Sequence, residues 1–249
     1  MGELKNIIEL DRICFSYETG KPVLDNLTFA LPKGEKLGLI GYNGSGKTTL
    51  MHIIMGLLKP SSGTIGLVGK PVETKKDFLE LRRRIGFLFQ NADDQLFSPT
   101  VLEDVAFGPL NHGISPKKAR EMAMETLEQL NLQGFENRIT HKLSGGEKKL
   151  VSLATVLVMQ PDALLLDEPT TGLDEDARFR IESLLNRLDI STVIVSHEYD
   201  FLAKTTEKIY SMKAGRIVFD GDVSSLHAHL HRHPAAGHPH DHGKGGFKV

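Results

Sequence analysis

Apolar and polar positions alternate along residues 7–17 (IIELDRICFSY) and again along 23–31 (VLDNLTFAL). A period of two with turn residues between predicts two N-terminal β-strands, each with one buried face. The texture then changes to short, nearly unbroken apolar runs at 36–40, 85–89, 163–166 and 192–195, each bounded by polar or turn residues. Runs of that length without alternation predict strands buried on both faces, as in the parallel sheet of an α/β domain. Between the second and third run, residues 116–130 place Ala, Met and Leu among Lys, Arg, Glu and Gln at helical spacing. A further helix is predicted from near Gly146. Residues 94–160 are therefore expected to form a helical subdomain inserted into the α/β core. The last patterned stretch, 208–221, predicts a hairpin turning at Ala214-Gly215.

After Ser225 the pattern ends in HAHLHRHPAAGHPHDHGKGG, rich in His, Gly and Pro. The expected organisation is a domain over 1–225 and a flexible His-rich tail over 226–249. Composition changes this picture little. Hydrophobic residues make up 40% and charged residues 25% of the 249, an ordinary globular balance. A net charge of -2 gives no general attraction to nucleic acid or anionic lipid, so no nucleic-acid partner is expected. The single Cys14 cannot close an intrachain disulfide, and its apolar setting predicts a buried thiol. The apolar run 150–159 is broken by Ser152 and Thr155, far short of the about 20 residues a membrane helix needs. The N-terminus lacks the basic flank and apolar stretch of a signal peptide. A cytoplasmic chain is expected, reaching any membrane through a partner.

The candidate chemistry sits at the ends of the predicted central strands. Gly41-Tyr42-Asn43-Gly44-Ser45-Gly46-Lys47-Thr48 fits G-x-x-x-x-G-K-[ST] between a strand and a helix. Backbone N–H groups of such a loop, with the helix N-terminus behind it, can surround phosphates. Lys47 can reach the outer phosphates and the Thr48 hydroxyl can ligate Mg²⁺. The strand 164–166 ends in Asp167-Glu168, which would set one carboxylate at the Mg²⁺ hydration shell and the next at an attacking water. A nucleotide and Mg²⁺ are thus the expected ligands, a pattern that many P-loop families share.

Leu143-Ser144-Gly145-Gly146-Glu147 opens a helix shortly before that strand. In this order and spacing it resembles the signature motif of ABC ATPases. The resemblance covers about 5–225 and implies the ABC ATPase fold: a P-loop NTPase core of α/β class, an N-terminal antiparallel β-subdomain and an inserted helical subdomain. It further implies roles by position. Tyr17 would stack on adenine, and Gly41, Asn43, Gly44, Ser45, Gly46, Lys47, Thr48 and Thr49 would hold the phosphates. Thr48, Gln90 and Asp167 would serve Mg²⁺. Glu168, His197 and Gln90 would act on the γ-phosphate and its water. Ser144, Gly145, Gly146 and Asp174 would meet the nucleotide of a second subunit. Departures from the family pattern are Lys148-Lys149-Leu150 after the signature, and Glu175 where proline is commoner.

The resemblance also implies a mode of action. Two such chains, identical or homologous, would sandwich two ATP molecules head to tail beside integral membrane subunits. The chain would be peripheral, on the cytoplasmic face of the cell membrane. The segment 89–101, with Glu103-Asp104-Val105-Ala106-Phe107-Gly108-Pro109, resembles the ATPases of energy-coupling-factor importers, closest to those for cobalt and nickel. A vitamin importer of that type, or an ABC ATPase not tied to transport, shares the ATP motifs. Seven of the eleven histidines, His227, His229, His231, His233, His238, His240 and His242, lie in the tail. Their imidazoles suit Ni²⁺ or Co²⁺, and the same composition fits a solvated low-complexity segment.

Overall fold

The computed structural model describes residues 6–18 and 20–222. The first two strands, β1 (Asn6–Ser16) and β2 (Pro22–Pro32), pair antiparallel. β1 buries Ile8 and Leu10, then Ile13 and Phe15, so the parity of its inward positions switches. A register shift between Leu10 and Ile13 makes that switch, with Arg12 at φ 50°. A bulge of this kind is what lets one alternating strand change face partway along. β3 (Lys36–Gly41) leads into α1 (Lys47–Ile54). Next come β4 (Ser62–Leu67) and β5 (Lys70–Pro71), which extend the first sheet to the order β2-β1-β4-β5.

The second sheet continues with α2 (Lys75–Arg84) and β6 (Ile85–Leu88). Three helices follow in sequence: α3 (Val101–Asn111), α4 (Pro116–Gln129) and α5 (Gly145–Leu157). β7 (Ala163–Asp167), α6 (Glu175–Arg187), β8 (Ser191–Val195), α7 (Tyr199–Thr205), β9 (Lys208–Lys213) and β10 (Arg216–Asp222) follow among the described residues. The strand order is β10-β9-β3-β8-β7-β6, parallel except for β10. The predicted hairpin is β9–β10, whose turn holds Ala214 at φ 49° and Gly215 at φ 76°. Two successive left-handed residues match the twist of the flanking strands.

Every residue of β7 and β8 is buried, as their unbroken apolar runs require. Their side chains divide by alternation between two cores. Leu165 and Val193 face β1, β2 and α1, where Leu50, Met51, Ile53 and Ile54 pack. Leu164, Leu166 and Ile194 face the helical side, with Val151 and Leu153 of α5 and Ile181 of α6. The sheet is thereby clamped on both faces, which fixes the ends of β3, β7 and β8 side by side.

Among the described residues three helices begin with a capping box: Thr74 with Asp77, Thr100 with Glu103, and Ser144 with Glu147. Each satisfies two backbone donors that a helix start otherwise leaves open. The expectation of a buried Cys14 needs correction. It is half-buried beside the bulge, its Sγ accepting from the Asn26 N–H at 3.3 Å and donating to the Arg12 carbonyl at 4.0 Å. Among the described residues no helix is long and apolar enough to cross a membrane. The tail and its seven histidines lie outside the described residues.

Candidate active site

β3 stops at Gly41, at φ 152°, where a Cβ would stand 2.4 Å from the Met212 carbonyl oxygen of β9. Only glycine lets the chain leave the sheet here, pressed against its neighbour strand. The loop turns through Gly44 at φ 78° to Gly46 at φ 105°, which caps α1 without a side-chain bond. The first N–H groups of α1 are therefore left for a ligand. Lys47 is buried and folds back, its Nζ donating to the carbonyls of Gly41 at 2.7 Å and Tyr42 at 3.3 Å. Burial pulls its pKa down, against the pull of Glu168 and Asp167.

Asp167 ends β7 beside this loop. The Thr48 hydroxyl donates to its Oδ2 at 2.8 Å, while its Oδ1 is buried without a partner. Burial pushes the carboxyl's pKa up, opposed by the Thr48 bond and by His52, Lys47 and Lys149. A buried carboxylate with one spare oxygen next to a hydroxyl fits a hydrated divalent cation. Among the described residues no three His, Cys, Asp or Glu side chains converge on one point. A cation here would thus complete its shell with water and phosphate oxygens, the habit of Mg²⁺.

Glu168 follows at φ 47°, an uncommon conformation for a non-glycine residue. Holding it costs about 1–3 kcal/mol. Its N–H bonds the Val195 carbonyl at 3.0 Å and its Oε2 accepts from the Thr171 hydroxyl at 3.0 Å. Its Oε1 lies 3.2 Å from Nε2 of His197. Oε1 is buried and has no hydrogen-bond partner. His197 stands just beyond β8 with its side chain half exposed.

These groups share one cavity of about 280 Å³, lined by Asn43, Gly44, Gly46, Lys47, Thr48, Thr49, Gln90, Asp167, Glu168 and His197, with Thr171 and Val195. The structure thus brings together ten of the residues singled out from sequence. Gly41 and Ser45 belong to the same loop behind the lining, Ser45 buried with its hydroxyl unpaired. Tyr17 is outside the lining but tied to it: its hydroxyl lies 3.2 Å from the Thr49 hydroxyl and its ring stacks edge-on against Phe15 at 4.9 Å. Nearly half of Tyr17 is exposed, leaving a ring face open to a planar ligand.

Ser144, Gly146 and Asp174 lie apart from this cavity. They line a second depression of about 390 Å³ with Glu147 and residues of α6. Ser144 caps α5, accepting from Glu147 N–H at 3.3 Å, while Glu147 Oε2 accepts from Ser144 N–H at 2.8 Å. Glu147 also pairs with Arg138 at 2.7 Å. The bond from Ser144, then Arg138, holds its pKa down. A Cβ on Gly146 would come within 2.6 Å of the Ala177 Cβ. That glycine is needed for the close approach of α5 to α6, whose start Asp174 caps by accepting from Ala177 N–H at 2.8 Å.

Two neighbours of the site escaped the sequence reading. Gln95 and Lys149 join the loop after β6 to α5, and burial pulls the Lys149 pKa down to about 8 despite Asp167 and Glu168 nearby. In the sequence Lys149 shows as a departure from the family pattern directly before the apolar Leu150-Val151 run.

Comparison with known proteins places these motifs in context. The ABC transporter family profile matches residues 24–171. A Nitratidesulfovibrio vulgaris protein, provisionally named an ABC transporter ATP-binding protein, is 52% identical over 244 residues, covering 95% of this chain and 89% of its own. The energy-coupling factor transporter ATP-binding protein EcfA of Methanothermobacter thermautotrophicus is 42% identical over 219 residues, covering 86% of this chain and 70% of its own. The structure of cbiO1 from Clostridium perfringens, part of the ABC transporter complex cbiONQ, superimposes with a TM-score of 0.82. It is 35% identical, covering 91% of this chain and 92% of that one.

Proposed function

This chain belongs to the ABC transporter family and is an ATPase; from that premise we propose that it works as half of a head-to-tail dimer driving an energy-coupling-factor importer of cobalt or nickel ions. The observation that carries the dimer is the separation of the two depressions. Lys47, Asp167 and Glu168 line one, and Ser144, Gly146 and Asp174 line the other. A single chain therefore offers a phosphate cavity lacking its signature contacts and a signature surface lacking its phosphate. Two chains facing each other supply both halves twice.

In this reading ATP enters the cavity with its phosphates on the loop N–H groups and its adenine on Tyr17. Lys47 exchanges its carbonyl partners, the Gly41 and Tyr42 oxygens, for the β- and γ-phosphates. Thr48, Gln90 and Asp167 would hold Mg²⁺, which neutralises phosphate charge when bound. Glu168 orients the water and takes its proton, and His197, beside it, contacts the γ-phosphate. Ser144 and the first N–H groups of the partner's α5 close over the same phosphate, where a helix N-terminus stabilises developing negative charge. The domain would span 1–225, with 94–160 as its helical subdomain.

The membrane connection is supported by an exposed aromatic pair beside the Gln90 loop. Phe97 is 65% and Phe107 42% exposed, stacked edge-on at 4.6 Å, with Leu110 also exposed nearby. Such a patch marks a protein contact. We assign it to the membrane subunits, which would hold the chain at the cytoplasmic face. The cobalt or nickel assignment is supported by the resemblance of segment 89–109 to ATPases of that branch. The test is reconstitution of the chain with its co-purifying membrane subunits in vesicles. ATP-dependent uptake of labelled Co²⁺ or Ni²⁺ is expected; active ATP hydrolysis with uptake of a vitamin and of neither ion would overturn the substrate.

A further inference from the structure

β7 runs one residue past the last paired position of β6, Leu88 opposite Leu166. At Phe89 the chain therefore leaves the sheet, and its backbone groups need other partners. They find them on α5. The Phe89 N–H donates to Gln95 Oε1 at 3.2 Å, and the Gln95 amide donates onward to the Ser152 carbonyl and Thr155 hydroxyl, each at 2.8 Å. The carbonyls of Phe89 and Gln90 both accept from Lys149 Nζ, at 3.2 and 2.6 Å.

Lys149 is only 3% exposed. A buried ammonium is costly unless donors and charges around it are answered. Here two carbonyls receive its protons, and the carboxylates of Asp167 and Glu168 act on it through space. The same cation thus touches the backbone of the residue whose side chain lines the ATP cavity and feels the two carboxylates of that cavity. It extends from the helix that Ser144 caps. On the outer side Lys148 pairs with Asp93 at 2.6 Å, an exposed contact of little energetic weight.

We propose that Lys149 is a positioning residue that clasps the Gln90 backbone to helix α5 and so sets where the Gln90 side chain stands at the ATP cavity. The inference rests on the reading of Gln90 as a group serving that cavity. Lys149 is not among the residues lining the ATP cavity, so the clasp reaches the site through Gln90. Its loss should therefore leave ATP binding intact and lower turnover, because a misplacement of about 1 Å at a positioned group can cost up to about a hundredfold.

The test is a double-mutant cycle in steady-state ATPase kinetics on the full chain. Lys149→Met, similar in length and uncharged, is expected to lower kcat about tenfold with the KM for ATP within about twofold. In a Gln90→Ala background the same change should cost nothing further. Lys149→Arg, which keeps the donors, should restore most of the turnover. If Lys149→Met does not fold, Lys149→Gln takes its place in the cycle. An equal loss in both backgrounds, a KM that rises with the fall in kcat, or an Arg variant as slow as the Met variant would overturn the clasp. A slow Gln90→Ala with a normal Lys149→Met overturns the clasp alone. A Gln90→Ala at full turnover removes the reading of Gln90 and the clasp with it.

Discussion

The hydroxyl of Thr48 donates to Asp167 at 2.8 Å, joining the first turn of α1 to the end of β7 across 119 residues of sequence. The second oxygen of Asp167 is buried and unpartnered. The pair is one preassembled edge of a cation site, held by two elements that the sheet fixes side by side. Asp167→Asn keeps an oxygen for Thr48 and removes the charge. Mg²⁺-dependent tightening of nucleotide binding should then weaken about 10–100-fold, measured by titrating Mg²⁺ against a fluorescent ATP analogue. Unchanged Mg²⁺ dependence would remove Asp167 from the site.

Glu168 spends backbone strain to hold its carboxylate beside His197. Glu168→Gln preserves shape and hydrogen bonding but cannot accept a proton. Binding of ATP should persist while hydrolysis falls about 10²–10⁴-fold. With ATP undischarged, the variant should accumulate as a dimer in sedimentation runs. A variant that hydrolyses normally, or stays monomeric at saturating ATP, contradicts the role.

Asp104 is a buried carboxylate away from the ATP cavity. Its Oδ1 accepts from the N–H groups of Phe97 and Ser98, at 3.2 and 2.9 Å, while Oδ2 has no partner. Burial raises its pKa above the ordinary 3.8. A raised pKa in the folded state stabilises the protein fully below the unfolded value, and that contribution is lost as pH climbs through the folded one. Asp104→Asn cannot ionise, so its stability relative to the parent should rise from pH below 3.8 towards neutrality. Urea unfolding across that range checks the sign, and a difference that shrinks with pH refutes it.

The central strands and the phosphate loop were legible because they depend on local pattern. Both-face burial makes β7 and β8 continuous apolar runs, and the Gly41–Thr48 spacing needs no tertiary knowledge. The bulge at Arg12 was hidden in a strand whose alternation looks regular until Leu10 and Ile13 are both found buried. β4 pairs with β1 at a distance, Cys14 opposite Ser62, and carries only Ile65 and Leu67 as buried apolar residues. α2 buries Leu81 alone, so it shows no apolar stripe; its Thr74 to Asp77 capping box was the missed signal. Lys149 reads only as a departure from the family pattern until α5 is seen lying over the loop at Gln90.

The seven tail histidines alternate with other residues in a segment of Gly and Pro. Two to four neutral imidazoles could share an ion, and affinity should fall as pH drops below about 6.5. Calorimetry with Ni²⁺ should show binding by the full chain and none after truncation at Ser225, with ATP hydrolysis intact. Equal binding by the truncated chain would locate the ion elsewhere.

The head-to-tail dimer is tested most directly by mixing two inactive variants. Lys47→Ala damages the phosphate cavity, and Ser144→Arg blocks the signature surface at a cost to the α5 cap of about 1 kcal/mol. In a mixed dimer arranged head to tail, one composite site carries both lesions and the other carries neither. ATPase activity measured across mixing ratios should rise above that of either variant alone and peak near equal amounts. Activity that stays at the weighted mean of the two variants at every ratio would contradict a site built from two chains.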